Sequence, residues 1–221
     1  MWNTKTPKGE LPEKTLYSLH YPHSLPKENR NWNQDYRQIV SIDPGKKNYA
    51  FRIERRYDDG RIIPIVFDKT AIETISIVDD TAVVDTYKVL TEFLDKYKQF
   101  YDNCHYVIIE KQLAVNYKAV RISQHTISYF TFRLFNKPLL PPIIEVDSKL
   151  KGKMLEAPKG MGDGQLKVWA VTRAREMFEA RNDQFSLGVL DHFKSKQDDL
   201  SDTACQIEAF FIYLKQTGAS V

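Results

Sequence analysis

Cysteine is scarce in this chain, and the two that are present, Cys104 and Cys205, lie among apolar neighbours. Two thiols are too few for a disulfide framework, so we expect reduced core cysteines and a reducing compartment, the cytosol or nucleus. Apolar runs are also short: none approaches the roughly 18 residues that a membrane helix needs, and the N-terminus has neither an apolar signal core nor an Arg-rich transit composition. The sequence therefore predicts no secretion and no membrane partner.

Histidine and net charge are sparse as well. Nothing near His20 and His23 completes a zinc ligand set, so we interpret this pair as surface residues. The 32 basic and 29 acidic residues leave a net charge of only +3, which does not by itself indicate a nucleic-acid partner. The local distribution says more, because five Lys or Arg and no Asp or Glu lie between Lys111 and Lys137.

A regular order of strands and helices follows the first 37 residues. Residues 1–37 contain four prolines without periodicity, and we interpret them as an N-terminal extension. Residues 38–217 are predicted to form one domain. Its predicted strands are 39–43, 48–54, 62–67, 106–109 and 143–146, and its predicted helices are 80–100, 114–135, 165–180 and 198–216, with a Lys- and Gly-rich loop at 149–164. This order indicates an α/β fold with a five-stranded mixed sheet, three antiparallel strands and then parallel ones, covered by helices.

The second and third strands carry further signals. Tyr49, Phe51 and Ile53 alternate with more polar residues, which predicts a strand that is buried on one face. The turn signal Asp58–Gly60 indicates a hairpin, and Pro64 favours an edge position for the third strand.

Three acidic positions lie in apolar surroundings: Asp43 after the first strand, Glu110 after the fourth, and the segment KQDDLSD at the start of the last helix. An acid at a strand end is a common catalytic position because the strand fixes the side chain while the loop admits substrate. Each acid also has a structural interpretation. Asp43 could be a turn residue before Pro-Gly, Glu110 could pair with Lys111 or another lysine, and the helix acids could simply favour a helix N-terminus.

Helical geometry separates the three aspartates of the last helix. At about 100° per residue, its core stripe runs through Leu200, Ala204, Ile207, Phe211 and Leu214. Asp199 and Asp202 lie about 60° apart on one flank of this stripe, whereas Asp198 points nearly opposite to it. We therefore expect Asp199 and Asp202 to converge on one site, and Asp198 to act as an N-cap or a solvated charge.

Four carboxylates at one sheet edge would repel one another, each close pair by about 4 kcal/mol at an effective dielectric of 20, unless cations lie between them. Oxygen ligands without His or Cys select Mg²⁺ or Mn²⁺ rather than zinc. Two such ions could activate a water and stabilise the leaving oxygen of a phosphodiester. The acids therefore suggest a polyanionic substrate.

The segments SIDPGKKN, VIIEKQ and KQDDLSD, in this order on the predicted elements, resemble those of the RuvC-like Holliday junction resolvases in the RNase H superfamily. The resemblance covers residues 38–216 and is strongest to the branch found in large DNA viruses of the poxvirus type. It implies an RNase H-like fold and a Mg²⁺-dependent homodimeric endonuclease that makes paired nicks in four-way DNA junctions. It also implies action in the cytoplasm or nucleus of a host cell.

The resemblance assigns catalysis and metal binding to Asp43, Glu110, Asp199 and Asp202, the acids that the helical geometry also selects. The family further places a functional lysine between the glutamate and the last helix. The segment KLKGK offers Lys149, Lys151 and Lys153, and our preference is Lys153.

The predicted DNA-binding residues flank these acids. We expect contacts from the segment after Glu110 and from the lysine-rich loop, while the two lysines after Asp43 are either phosphate contacts or plain turn charges. The candidates are Lys46, Lys47, Gln112, Asn116, Lys118, Arg121, Lys149, Lys151 and Lys159. Most aromatics between residues 111 and 137 are better interpreted as core or dimer-interface residues than as a wedge into DNA.

Three other functions share parts of this pattern. An actin-like ATPase or sugar kinase would carry a Gly-rich phosphate loop in a second lobe, which this chain lacks. A non-catalytic junction-binding dimer would not need the four acids. A related nuclease that acts on a flap or an RNA/DNA hybrid remains compatible with the sequence, because fold alone does not select a substrate.

Overall fold

The computed structural model of the chain describes residues 16–18, 35–72, 83–136 and 141–218. The interpretation of His20 and His23 and the predicted helix start at residue 80 lie outside these ranges. Within them, no helix combines the length and apolarity that crossing a bilayer demands. Cys104 and Cys205 are free thiols, as predicted.

The described strands form one mixed sheet, and the predicted five-stranded core is confirmed. Strands β2, β3 and β4 are an antiparallel meander, while β5 and β6 add in parallel beside β2. A sixth, short strand from the predicted extension, β1, pairs antiparallel with β6, so the order is β1-β6-β5-β2-β3-β4. The strands are β1 Leu16–Ser18, β2 Tyr36–Pro44, β3 Tyr49–Tyr57, β4 Ile62–Thr70, β5 Tyr106–Glu110 and β6 Ile143–Val146.

Helices follow the predicted order with two additions. The described helices are α1 Val83–Asp95, α2 Tyr117–Leu134, α3 Lys149–Met154, α4 Asp163–Ala180, α5 Gln184–His192 and α6 Gln197–Thr217. After α1, residues Lys98–Asn103 form a 3-10 helix, so the predicted helix to residue 100 ends early.

The segment 149–164 was predicted as a loop, and this was wrong for its first part, which is α3. This helix forms because Leu150 is buried in the core and the Asp147 carboxylate accepts a 2.8 Å hydrogen bond from the Lys149 backbone N–H. Helix α5 was not predicted. The Asp183 carboxylate caps it by accepting from the Ser186 N–H at 2.8 Å, but few apolar residues face the core, so its periodicity is weak.

Both faces of the sheet are covered. Helices α1 and α2 pack on the core that contains Val40, Phe51 and Ile53, while α4, α5 and α6 pack on the opposite core around Ile39 and Phe67. Strand β3 is therefore buried on both faces over residues 49–54, and the prediction of a half-buried strand was wrong. Helices α4, α5 and α6 therefore exclude solvent from the face of β3 that they cover.

On the face that α4, α5 and α6 cover, β3 carries polar side chains that are nevertheless buried. Arg52 is fully buried between the rings of Phe67 and Phe178, and its Nε donates to Glu54 Oε2 at 2.8 Å. Burial alone would raise the pKa of Glu54, but the guanidinium groups of Arg56 and Arg52 lower it to about 2. The pair is stable in the core because each charge has a partner.

The predicted turn and edge positions are both present. Gly60 has φ = 90° in the turn between β3 and β4, a conformation that favours glycine. Pro64 lies on β4 at the end of the strand order, and the pairing of β3 with β4 shifts register beside it.

Candidate active site

Asp43 and Glu110 end two adjacent parallel strands. Strands β2 and β5 pair with Ile42 opposite Ile109, so the next residues, Asp43 and Glu110, lie side by side at one edge of the sheet. Both side chains are partly buried. By strand alternation they share a face with Ile39 and Ile108, the face that α6 covers.

The turn after Asp43 depends on Gly45. Its backbone N–H donates to the Asp43 carbonyl at 2.9 Å, and a Cβ at this position would lie only 2.5 Å from the carbonyl oxygen of Asn48. Glycine alone permits this close approach of two backbone segments. The chain therefore turns away immediately after Asp43 and leaves the carboxylate at the sheet edge.

Helix α6 brings two more acids to this edge. The predicted core stripe is confirmed, because Leu200, Ala204, Ile207, Phe211 and Leu214 are all buried. On its flank, Asp199 and Asp202 both interact electrostatically with Asp43. Asp198 instead accepts a hydrogen bond from Lys167 of α4 at 2.8 Å. Asp198 therefore has a different partner from Asp199 and Asp202, but its expected role as an N-cap or a solvated charge was wrong, because Lys196 is the N-cap residue and the Asp198 side chain is only 14% exposed.

Lys151 of α3 lies between two of the acids. Its Nζ is 2.7 Å from Glu110 Oε2 and 2.8 Å from Asp202 Oδ1, and the three side chains are 15 to 21% exposed. The ammonium thus bridges the end of β5 to the first turns of α6. Among the described residues, it is the cation that is inserted into the acid cluster.

Lys153, our preferred functional lysine, does not reach this cluster. It is exposed on the other side of α3, with no ion pair among the described residues. The reason is the phase of α3: Leu150 points into the core, which directs Lys151 toward the acids and Lys153 toward solvent. On geometry, the preference for Lys153 must be replaced by Lys151.

Burial and mutual repulsion govern the protonation of the cluster. Burial and then the Glu110 charge raise the pKa of Asp43 well above its ordinary value. Burial also raises the pKa of Asp202, although Lys151 opposes the shift. Burial alone would lower the pKa of Lys151, but the charges of Glu110 and Asp202 raise it. The lysine therefore remains an ammonium at neutral pH.

Asp199 has a different environment. Burial and the neighbouring Asp198 raise its pKa to about 6. Its Oδ2 is buried and has no hydrogen-bond partner within the described part of the chain. A buried carboxylate oxygen of this kind is costly unless a cation or a donor satisfies it.

The donor set fits a hard divalent cation. No cluster of three or more Asp, Glu, His or Cys residues in the described ranges is arranged to hold a metal as it stands, and Lys151 occupies the space between Glu110 and Asp202. The chemistry of the set nevertheless matches Mg²⁺ or Mn²⁺, because all four acids offer oxygen and Asp199 has an unsatisfied oxygen.

The predicted DNA-binding residues have different surroundings. Gln112 donates to the Glu110 carbonyl at 3.2 Å, and the Asn116 side chain caps α2 by accepting from the Ala119 N–H at 3.4 Å. Lys118 lies 5.9 Å from the centre of the Tyr117 ring. The side chains of Lys47, Arg121, Lys149 and Lys159 are exposed, and Lys46 is partly buried.

Two lysines that the sequence analysis did not single out contact the start of α6. One is Lys167, which pairs with Asp198. The other is Lys69 at the end of β4, whose Nζ donates to the carbonyls of Ser195 and Lys196. The sheet register and the packing of α4 on α6 bring these two lysines to the site.

Comparison with known proteins gives two viral relatives. The 170L protein of Invertebrate iridescent virus 6 is 25% identical over 226 residues, covering 80% of this chain and 89% of the relative. The 97L protein of Invertebrate iridescent virus 3 is 27% identical over 215 residues, covering 78% and 98%. No family model matches the chain.

Solved structures that resemble the chain include two resolvases of Holliday junctions. The yeast mitochondrial resolvase Ydc2 has a TM-score of 0.58 at 15% identity, with 81% of each chain covered. The Fowlpox virus resolvase, solved with its substrate Holliday junction DNA, has a TM-score of 0.50 at 18% identity, covering 81% and 98%. Thermus thermophilus RuvC also has a TM-score of 0.50, at 11% identity. This protein thus has the RNase H-like fold of the RuvC-type Holliday junction resolvases.

Proposed function

We propose that this protein is a divalent-metal-dependent endonuclease that resolves four-way DNA junctions by paired phosphodiester hydrolysis. The observation that carries the proposal is the convergence of Asp43, Glu110 and Asp202, with Asp199 beside them, at one sheet edge of a resolvase-like fold. A purely structural role would not favour four acids so close together, since burial and then repulsion by the neighbouring acids raise the pKa of Asp43.

In this proposal the four acids hold Mg²⁺, for which Mn²⁺ can substitute. When bound, such ions supply an activated water and stabilise the leaving oxygen of the phosphodiester. Asp199 contributes its unsatisfied buried oxygen. Lys151 balances the charge of Glu110 and Asp202 between turnovers and donates to a phosphate oxygen when substrate is present.

Basic and polar side chains around the edge position the DNA. The exposed Lys47, Arg121, Lys149 and Lys159 bind phosphates in this proposal, together with Lys46, Lys118, Gln112 and Asn116. Because phosphate contacts carry little sequence information, selectivity for a junction comes from the relative placement of two DNA arms.

Paired cuts need two active sites, so we further propose a homodimer. Helix α2 exposes Phe132, which is 83% accessible, and Phe135, which follows the helix and is 71% accessible. Large apolar side chains at this exposure are typical of surfaces that pack on a partner. Because both relatives are proteins of iridescent viruses, we propose that the substrate is branched DNA of a replicating virus, in the cytoplasm or nucleus of its host.

The test uses purified protein and three labelled substrates: a four-way junction, a linear duplex of matched sequence, and an RNA/DNA hybrid, each with Mg²⁺ or EDTA. We expect symmetric nicks in the junction with Mg²⁺ and no product with EDTA. Equal cutting of junction and duplex would overturn the resolvase assignment, and preferential cutting of the hybrid would favour the related nuclease. Binding without cutting in any divalent metal would identify a junction-binding protein.

A further inference from the structure

Lys69 lies in the same row of the sheet as Asp43. In the antiparallel pairs, Asp43 is opposite Ala50, and Ala50 is opposite Lys69. Directly opposite residues of neighbouring strands project to the same face, so Lys69 projects toward α6, as Asp43 does. The row therefore ends in a cation on β4, two strands from the acid on β2.

The ammonium of Lys69 holds the chain just before α6. Its Nζ donates to the Ser195 carbonyl at 2.8 Å and to the Lys196 carbonyl at 3.2 Å, and it lies 5.3 Å from the centre of the Phe193 ring. An ammonium has three donors, so one lysine can hold two carbonyls at once. These contacts connect the edge strand of the sheet to the residues that enter α6.

The N-cap position of α6 needs such a support, because its own side chain provides no cap. Lys196 is the N-cap residue, yet its side chain makes no capping hydrogen bond, and its backbone is left-handed, with φ = 62° and ψ = 44°. A left-handed backbone is uncommon for a residue with a side chain and persists only where the surroundings hold it. Lys69 supplies two of those holding contacts, and Asp199 follows three residues later.

Helices α5 and α4 also contact the first turn of α6. Gln197 donates to the Leu190 carbonyl of α5 at 2.7 Å, and Lys167 of α4 pairs with Asp198 at 2.8 Å. Neither of these reaches the sheet. Among the described residues, Lys69 is thus the side chain that ties the carbonyls before α6 to the sheet row that also carries Asp43.

We propose that Lys69 is a positioning residue: by holding the Ser195 and Lys196 carbonyls, it fixes the first turn of α6 and places the Asp199 carboxylate opposite Asp43. The proposal rests on the proposed function of the four acids. It predicts that Lys69 acts on catalysis through geometry and not through contact with DNA.

The test compares Lys69→Met, Lys69→Arg and the control Lys96→Met on the full chain. Lys96 is a neighbouring exposed lysine that pairs with Asp68, so its loss removes the same charge without touching α6. We expect Lys69→Met to lower the maximal junction-cleavage rate about tenfold and to raise the Mn²⁺ concentration for half-maximal rate, with KM for the junction unchanged. Lys69→Arg, which keeps a donor to both carbonyls, should recover most of the rate, and Lys96→Met should match the wild type.

Three results would overturn the proposal: full activity in Lys69→Met, no recovery in Lys69→Arg, or an equal loss in Lys96→Met. Hydrogen exchange supplies a readout that does not depend on cleavage. Amides of residues 200–202, the first that donate within α6, should exchange about tenfold faster in Lys69→Met than in Lys96→Met, while those of α2 are unchanged. If the wild type fails to cut the junction, the proposed function fails. Unchanged exchange at residues 200–202 would separately overturn the role of Lys69.

Discussion

Lys167 donates a hydrogen bond to Asp198 over 2.8 Å, and this contact holds Asp198 on the outer flank of α6. The next residue, Asp199, has a buried oxygen without a partner among the described residues. Two consecutive aspartates of one helical turn therefore have opposite environments. One is paired with a surface lysine, and the other keeps a buried carboxylate oxygen that a cation could satisfy.

This difference predicts opposite outcomes for two isosteric changes. Asp199→Asn should lower junction cleavage by roughly a hundredfold or more, because it removes a charge from the reacting site, while leaving junction binding intact. Asp198→Asn should remain within about threefold of wild type, since it breaks only a partly exposed ion pair. Single-turnover cleavage and gel-shift binding measure the two properties. A dead Asp198→Asn beside an active Asp199→Asn would show that the two roles are reversed.

Removal of the Lys151 ammonium should make the protein more dependent on divalent metal. Lys151→Met leaves Glu110 and Asp202 without the cation between them, which should cost about 2 kcal/mol of unfolding free energy in EDTA. Mn²⁺ should then stabilise the variant more than the wild type, because no ammonium must be displaced. Thermal melting across a MnCl₂ titration measures this effect. Lys153→Met is the matched control, and a larger effect there would refute the assignment of Lys151.

The turn after Asp43 should tolerate no side chain at residue 45. Gly45→Ala places a Cβ 2.5 Å from the Asn48 carbonyl oxygen, so the backbone must shift. We expect a loss of about 2 kcal/mol in stability and a marked loss of cleavage, because Asp43 moves with the turn. Gly188→Ala in α5, where nothing lies within 4 Å of an added Cβ, should instead be neutral or stabilise by about 0.5 kcal/mol. Urea unfolding compares the two, and equal effects would contradict the prediction.

The buried Glu54 should make stability fall in acid. Its pKa is about 2 in the folded protein against an ordinary value of 4.5, so the unfolded chain takes up the proton first. The contribution is therefore complete above pH 4.5 and is lost as the pH falls toward 2. Glu54→Gln should cost about 3 kcal/mol at pH 7, and the difference from wild type should shrink between pH 4.5 and 3.

Urea unfolding at several pH values measures this linkage. The control is Glu176→Gln, which alters an exposed pair with Arg173 and should have almost no effect. A Glu54→Gln deficit that stayed constant from pH 7 to pH 3 would show that the carboxylate charge is not the stabilising group.

Much of the fold and the acid cluster could be predicted, because their signals are local. The run before Asp43 and the run before Glu110 are buried strands whose ends meet, and the apolar spacing of α6 fixes the directions of Asp199 and Asp202. Each signal spans a few residues and needs no knowledge of distant packing.

The choice of lysine could not be made in this way. Whether Lys151 or Lys153 meets the acids depends on the phase of α3, and that phase is set when Leu150 enters a core built by distant elements. Lys69 was missed for the same reason, since its relation to Asp43 exists only through the register of three strands. Helix α5 has too short an apolar face to be recognised from spacing alone.

The buried ion pair of Arg52 and Glu54 opposes a shift of β3 in register relative to its neighbouring strands. Both faces of this strand are covered, so a shift by one residue would exchange the two faces without exposing either to solvent. Such a slip would move Arg52 and Glu54 into the aliphatic and aromatic core beneath α1 and α2, and it would separate Arg52 from Asp183 and Ser186. Strand pairings that are out of register are therefore less stable. The stable register is the one that places Asp43 opposite Ala50.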